Sequence, residues 1–269
     1  MNVKSYLSFF KIKFINGLQY RTAACAGVIT QLAWGFMYIM MYEAFYKSNP
    51  AAASMKLPSL VSYIWLQQAF LALFMTWFVD NDILELITSG NVAYELVRPI
   101  SLYDTWFSKS CANRVAKAVL RCFPIIIVSL LIPKPYNLSL PYSFKSFILF
   151  LISIILALIV IVSYNMFIYI LSFYTVSPIG LKIVFTTTAD FLAGGVVPIP
   201  LLPDNLVKII NLTPFAYMQN TPFRIYSGDI SAEKALTVIL IQFFWAVVLV
   251  SFGKLLMGRT LKKVVVQGG

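Results

Sequence analysis

Asp80-Asn-Asp-Ile-Leu-Glu-Leu-Ile-Thr-Ser-Gly-Asn-Val-Ala-Tyr-Glu-Leu-Val-Arg-Pro-Ile-Ser-Leu-Tyr-Asp104 separates two apolar segments of a 269-residue chain. Continued to Arg114, it is the longest charged interruption in the sequence. Asp80, Asp82, Glu85, Glu95 and Asp104 lie in it, five of the chain's ten acidic residues. Residues 60–79, just before it, carry no charge and are long enough to cross about 30 Å of hydrocarbon. A segment this charged between two spans belongs in water, and its core reads as a docking helix for a cytoplasmic partner.

Gly90 breaks any helix running in from Asp82, and Asn91 is placed to cap a new one. Val92 to Val97 makes two turns, until Pro99 forces Arg98 out of helical geometry. Ser101 and Asp104 have the spacing of a capping box for the next helix. The short helix between the two breaks bears Tyr94, Leu96 and Val97. It is too short to be stable alone, so membrane, the rest of the loop or a partner must hold it. The alternative is an irregular amphipathic loop at the headgroups.

Composition agrees with a membrane setting. The chain is 60% hydrophobic and 12% charged, whereas a soluble domain carries about 25% charged residues. Its net charge of +11 is dispersed between apolar runs. That pattern suits lipid headgroups and topology signals and argues against nucleic acid as a partner. There is no His, and Cys25, Cys111 and Cys122 lack the spacing of metal ligands. No metal site is expected. The first twenty residues show no compact apolar core with a small-residue cleavage site.

The predicted fold is an all-α polytopic membrane protein, a single transmembrane domain over 1–269 with six spans: 23–46, 60–79, 115–132, 146–173, 181–197 and 235–256. Ahead of them, Leu7, Phe10, Phe14 and Leu18 share one helical stripe. Residues 1–20 therefore read as an amphipathic interfacial helix, or as the ragged start of the first span. A linker holding Pro50 and three alanines follows the first span. Arg114, Lys117 and Arg121 can snorkel from the third span to the interface, and Pro124 is placed to kink it. Ser177 to Gly180 reads as a tight turn. Pro198, Pro200 and Pro203 end the fifth span. Residues 198–228 then form one or two short helices, half-buried at the far surface or re-entrant. With both termini inside, the inner segments hold fourteen of the 21 Lys and Arg. That bias puts the 80–114 loop in the cytoplasm and the 198–228 element outside.

The chain has no phosphate-cradling glycine loop followed by Lys and Ser or Thr, and without His no Ser/His/Asp set is possible. It is therefore expected not to be an enzyme. Two acids fall near membrane depth. Glu43 reads as an interfacial carboxylate. Asp190 either contacts a substrate or partner helix, or bonds the Gly194-Gly195 backbone.

Several features together resemble the type-2 export permeases of the ATP-binding-cassette superfamily. An amino-terminal helix precedes six spans, and a cytoplasmic helix ends in Glu-Leu-Val-Arg-Pro-Ile-Ser, here Glu95 to Ser101. A Pro-rich outward element leads into Leu-Thr-Pro-Phe-Ala-Tyr, here Leu212 to Tyr217, then Pro222 and Tyr226-Ser-Gly228. The resemblance covers essentially the whole chain and is closest to the bacterial subgroup often encoded as permease pairs beside one ATPase. It implies a plasma-membrane permease subunit that pairs with a second, homologous or identical permease. A separate ATPase subunit would bind ATP and Mg, and this chain would carry no cofactor. It also implies that the cytoplasmic helix inserts in a cleft of the ATPase. Asn91, Tyr94, Leu96 and Val97 would make contact there, with Glu95 and Arg98 as rim charges. The substrate path would run between permeases, with Phe70, Phe74, Trp77, Thr186 and Asp190 as path residues. The aromatic-rich spans suit an amphipathic drug, peptide or lipid. A stand-alone secondary transporter or channel, or a transporter-like sensor, is the alternative; no paired acidic residues or two-half repeat support the former.

Overall fold

The computed structural model describes residues 3–48, 54–175 and 177–263. The linker with Pro50 and its alanines lies outside them. Among the described residues the chain is all-helical. The helices are α1 Val3–Leu18, α2 Arg21–Ser48, α3 Leu57–Ala69, α4 Leu71–Phe74, α5 Asn81–Thr88 and α6 Ala93–Leu96. They continue as α7 Leu102–Leu131, α8 Phe144–Ser172, α9 Pro178–Leu192, α10 Asp204–Asn211, α11 Asn220–Tyr226 and α12 Ala232–Leu261. Two 3-10 turns, Ile199–Leu201 and Pro214–Tyr217, flank α10. By length and composition α2, α8 and α12 can each cross a membrane.

Helix α8 is the hub, packed by α12, α11, α7, α9 and α5. Residues 160–170 are buried on every side, whereas Leu151, Ile152 and Ile155 in the other half are exposed. One apolar run thus serves as core at one end and as outer surface at the other. Gln242 of α12 is fully buried and accepts from Ser153 Oγ at 2.8 Å. Its amide donates to the carbonyls of Ser153 and Tyr217, tying α12, α8 and the 214–217 turn together. A buried amide satisfied on both ends fixes the register of three elements.

The second predicted span, 60–79, is not one helix. Phe70 interrupts it, α4 ends at Phe74, and Met75 is extended. Helix endings leave carbonyls without partners, and inside a membrane protein they must be satisfied by protein. Arg114 of α7, only 1% exposed, supplies the donors. Its Nη1 donates to the carbonyls of Leu73 (3.0 Å) and Met75 (2.8 Å), and its Nη2 to Phe78 (2.9 Å). Arg114 therefore does not snorkel; it is held inside by the break it completes. Asn165 also donates to Phe78 O, and Tyr169 Oη accepts the Asp80 N–H at 2.7 Å.

Other boundaries shift for local reasons. Helix α7 starts at Leu102 and runs on through Pro124. Pro178 is not part of a turn but the first residue of α9, where its missing N–H costs nothing. Helix α9 stops at Leu192, short of 197. Within 198–228, α10 is the expected half-exposed surface helix, with only Ile210 buried, but residues 214–226 are set more deeply. In α11, Asn220 to Phe223, Ile225 and Tyr226 are buried, and Phe223 packs on Tyr63, Phe70 and Phe74. In α1 the expected stripe holds in part: Phe10, Phe14 and Leu18 are partly covered, with Tyr6, Phe9, Lys13 and Gly17, on the side of α7, but Leu7 is exposed. This helix is apolar on both sides, so contact with α7, not one stripe, sets its orientation.

Candidate functional site

The 80–104 segment is built as two turns around a buried anchor. Asp80 caps α5, its carboxylate accepting the Asp82 N–H at 3.1 Å. Ile83, Leu84 and Val92 are buried with Trp106, Tyr169 and Met257, so the inner side of the hairpin joins the core. Gly90 turns the chain at φ 76°, a conformation that L side chains rarely adopt. Asn91 does not cap α6; the first turn follows Val92, and the Asn91 N–H donates to Ser89 Oγ instead. Helix α6 is one turn, not two, and ends as expected ahead of Pro99.

Tyr94 is 75% and Val97 82% exposed, and Leu96, Arg98 and Asn91 also face outward. Glu95 does not. Its Oε1 accepts from Lys109 Nζ at 2.8 Å and its Oε2 from Trp106 Nε1 at 2.5 Å. It is thus the tether of α6 to α7, not a rim charge. The expected capping box at Ser101 is half formed: Ser101 Oγ accepts the Asp104 N–H, but the Ser101 N–H donates to Tyr6 Oη. Asp104 pairs with Lys254 of α12 at 2.7 Å. Tyr6 O accepts from Ser108 Oγ, and Lys13 approaches Asp82 at 3.8 Å. So α1 and α12 both brace the hairpin. The donors Trp106 and Lys109, three residues apart on one helical face, were the available sign of the Glu95 tether.

Burial pushes the Glu95 carboxyl up, but the hydrogen bonds from Lys109 and Trp106 and the charges of Lys109 and Arg98 hold it below its ordinary 4.5. A carboxyl lowered in the fold contributes stability that is present above the unfolded value and lost as pH falls through the folded one. The tether is therefore complete above pH 4.5 and weakens below it. Glu95→Gln at neutral pH is expected to cost about 1 kcal/mol locally, the pair being partly screened, and to speed amide exchange over residues 93–98 about fivefold. Exchange unchanged from the native chain would show that Glu95 does not hold α6.

A second feature is a cavity of about 420 Å³ between α2, α3, α4, α7 and the chain after α9. Trp34, Trp77 and Phe74 wall it, with Gln31, Gln68, Arg121 and Asp190 as polar lining. Of the expected path residues it gathers Phe74, Trp77 and Asp190. Phe70 instead packs on Phe150 and Phe223, and Thr186 Oγ donates to the Lys182 carbonyl of its own helix. The backbone of Asp190, not its carboxylate, accepts the Gly195 N–H at 2.9 Å. Gln31 is 3% exposed, and neither of its amide atoms has a partner. Gln31 breaks no pattern in the sequence, and Arg121 reads there only as a snorkelling cation, until the fold brings them to one cavity. Among the described residues no group of three or more Cys, Asp or Glu could hold a metal ion.

No curated protein matches the chain. The family model described as ABC-2 family transporter protein matches residues 32–268, from the middle of α2 through α12 and beyond. The match takes in the tethered hairpin and the cavity except its Gly27, Thr30 and Gln31 edge, and it implies a membrane-embedded permease role with an ATPase partner. The chain belongs to the ABC-2 family of transporter proteins.

Proposed function

We propose that this chain is the permease subunit of an ATP-driven exporter in the plasma membrane. A second permease, homologous or identical, completes the path, and a separate ATPase binds ATP and Mg and does the hydrolysis. In this reading the chain is a single transmembrane domain with six spans and no catalytic role. The second span is α3 with α4, the third is the outer part of α7, and the fifth is α9 with the turn that follows it. Both termini and the 80–104 hairpin face the cytoplasm, and 198–228 faces out. The substrate is an amphipathic drug, peptide or lipid.

The observation that carries the proposal is α6. Tyr94 and Val97 stand outward from a turn whose other side is fixed by Glu95, Lys109 and Trp106. An exposed aromatic and an exposed β-branched side chain on a rigid tether are poor loop residues and good contact residues. ATP-driven closure of the ATPase would press on α6, and the Glu95 tether would pass that motion into α7.

Co-purification with a co-expressed ATPase subunit of the ATP-binding-cassette type tests this. Val97→Asp is expected to weaken capture about tenfold, because a carboxylate would have to be desolvated in an apolar cleft. Leu140→Asp, equally exposed but in the loop after α7, is expected to leave capture unchanged. Equal capture by native chain and Val97→Asp would remove α6 as the coupling element. No capture by the native chain would favour the stand-alone transporter.

A further inference from the structure

A second cavity, of about 490 Å³, lies beside the first, between α1, α2 and α7. Arg121 lines both. Lys117, one turn earlier on α7, lines the second, with Lys13 and Asp82 at its edge. The charges there do not balance. Arg114, Lys117 and Arg121 recur at helical spacing on α7, and Asp80 is a carboxylate whose charge reaches Lys117. That carboxylate is already occupied by the Asp82 N–H and by Asn113 Nδ2. Asp82 pairs with Lys13, and neither Lys117 nor Arg121 forms an ion pair among the described residues. Lys117 Nζ rests 3.5 Å above the Phe78 ring, which offsets only part of its charge. Arg114 spends its guanidinium on carbonyls. Asp190 shares the first cavity with Arg121 and Asp82 the second with both cations, yet neither Lys117 nor Arg121 is ion-paired with them.

Arg121 is also held in place. Its guanidinium lies flat on Gly27 of α2, where a Cβ would stand 2.7 Å from Cζ. Its Nε is buried with no acceptor. Gln31, one turn further along α2, offers an amide with both atoms unpartnered. Beyond it the first cavity becomes aromatic, with Trp34, Trp77 and Phe74. Polarity thus runs from two unpaired cations, through an unsatisfied amide, to apolar walls. A buried donor without acceptor is costly, and the unpartnered Arg121 Nε and Gln31 amide, with Lys117 close by, mark a place for a ligand.

We propose that the two cavities form one site for an anionic amphiphile. Lys117 and Arg121 hold its phosphate or carboxylate head, Gln31 bonds the polar neck, and Trp34, Trp77 and Phe74 take the apolar tail. Resting on the permease reading, this narrows the cargo to amphiphiles with a negative head. The same chemistry would also take the headgroup of a resident anionic lipid.

Binding of dodecyl phosphate to the full chain in phosphatidylcholine nanodiscs tests it, read by tryptophan fluorescence with Trp34→Phe and Trp77→Phe to assign the signal. Saturable binding is expected, about tenfold weaker in Arg121→Gln and in Lys117→Gln, and restored in part by Arg121→Lys. Dodecyltrimethylammonium should not compete. Should both Gln variants fail to fold, this competition on the native chain decides alone. Equal binding by the Gln variants, or equal competition by the cationic amphiphile, overturns the site. Adding phosphatidylglycerol to the nanodiscs separates the sources: a resident lipid would depress the apparent affinity, and a cargo site would not be affected. None of these readings needs the ATPase. Loss of the site therefore leaves the α6 capture result standing, and a failed capture leaves the site standing.

Discussion

Replacing Arg114 by methionine is expected to destabilise the folded chain by about 3–5 kcal/mol, enough to remove most monodisperse protein from detergent extracts. Methionine fills the space, so the loss comes from the three carbonyls of Leu73, Met75 and Phe78, which then lose their donors in a buried setting. Each orphaned carbonyl costs about 1–3 kcal/mol, and a carbonyl with a second lone-pair contact sits at the low end. Phe78 keeps its bond from Asn165, so Leu73 and Met75 carry most of the penalty. Arg114→Lys should fall between, because one ammonium cannot reach carbonyls that the guanidinium meets with two nitrogens. Thermal unfolding of the purified chain, followed by size exclusion, measures both. A methionine variant as stable as the native chain would mean that the break at Phe74 is satisfied in some other way.

Arg121, seven residues further along the same helix, should behave oppositely. It has no ion pair among the described residues, so Arg121→Gln removes an unbalanced charge and is expected to leave stability nearly unchanged while weakening ligand binding. The contrast separates a cation that holds the fold together from one available to a ligand.

Nothing in the sequence distinguishes those two arginines. Both are positive residues at the start of an apolar segment, and snorkelling describes them equally well. The difference arises from a helix break about forty residues earlier, whose carbonyls Arg114 reaches and Arg121 does not. For the same reason 60–79 reads as an intact span. Hydropathy records that the residues are apolar, but the groups that make a broken helix tolerable, Arg114, Asn165 and Tyr169, belong to other helices. What was legible is what local chemistry decides. Uncharged runs gave α2, α8 and α12. Gly90 and Pro99 marked the limits of α6, and Ser101 the start of α7. Glu95 was misread as a rim charge because its partners lie eleven and fourteen residues on, across a turn. The cavity was half legible. Phe74, Trp77 and Asp190 were expected to line a path, but Gln31 gains meaning only where its amide is found without a partner.

Phe223→Ala is expected to destabilise the chain by about 2–3 kcal/mol, less than the 3–5 kcal/mol of a Phe→Ala change in an aqueous core. In a bilayer the unfolded reference is itself surrounded by apolar chains, so the transfer contribution shrinks and lost packing dominates. That packing is extensive. Phe223 is fully buried, with its ring edge-on to Tyr63 at 5.5 Å and to Phe74 at 5.7 Å, and tilted against Phe70 at 6.4 Å. These three residues lie along α3, its interruption and α4, so α11 is the wedge that keeps the two halves of the broken span aligned. Phe223→Leu, which refills most of the space, should cost less than about 1.5 kcal/mol. The alanine variant should also disturb the cavity wall through Phe74 while leaving ATPase capture intact, because α6 is tethered through Glu95 to α7 and not through α11. Unfolding temperature and capture measured on one preparation separate the two effects. Loss of capture without loss of stability would mean that the outer wedge and the hairpin are mechanically linked, and α8, which packs against both α5 and α11, offers one path for that link.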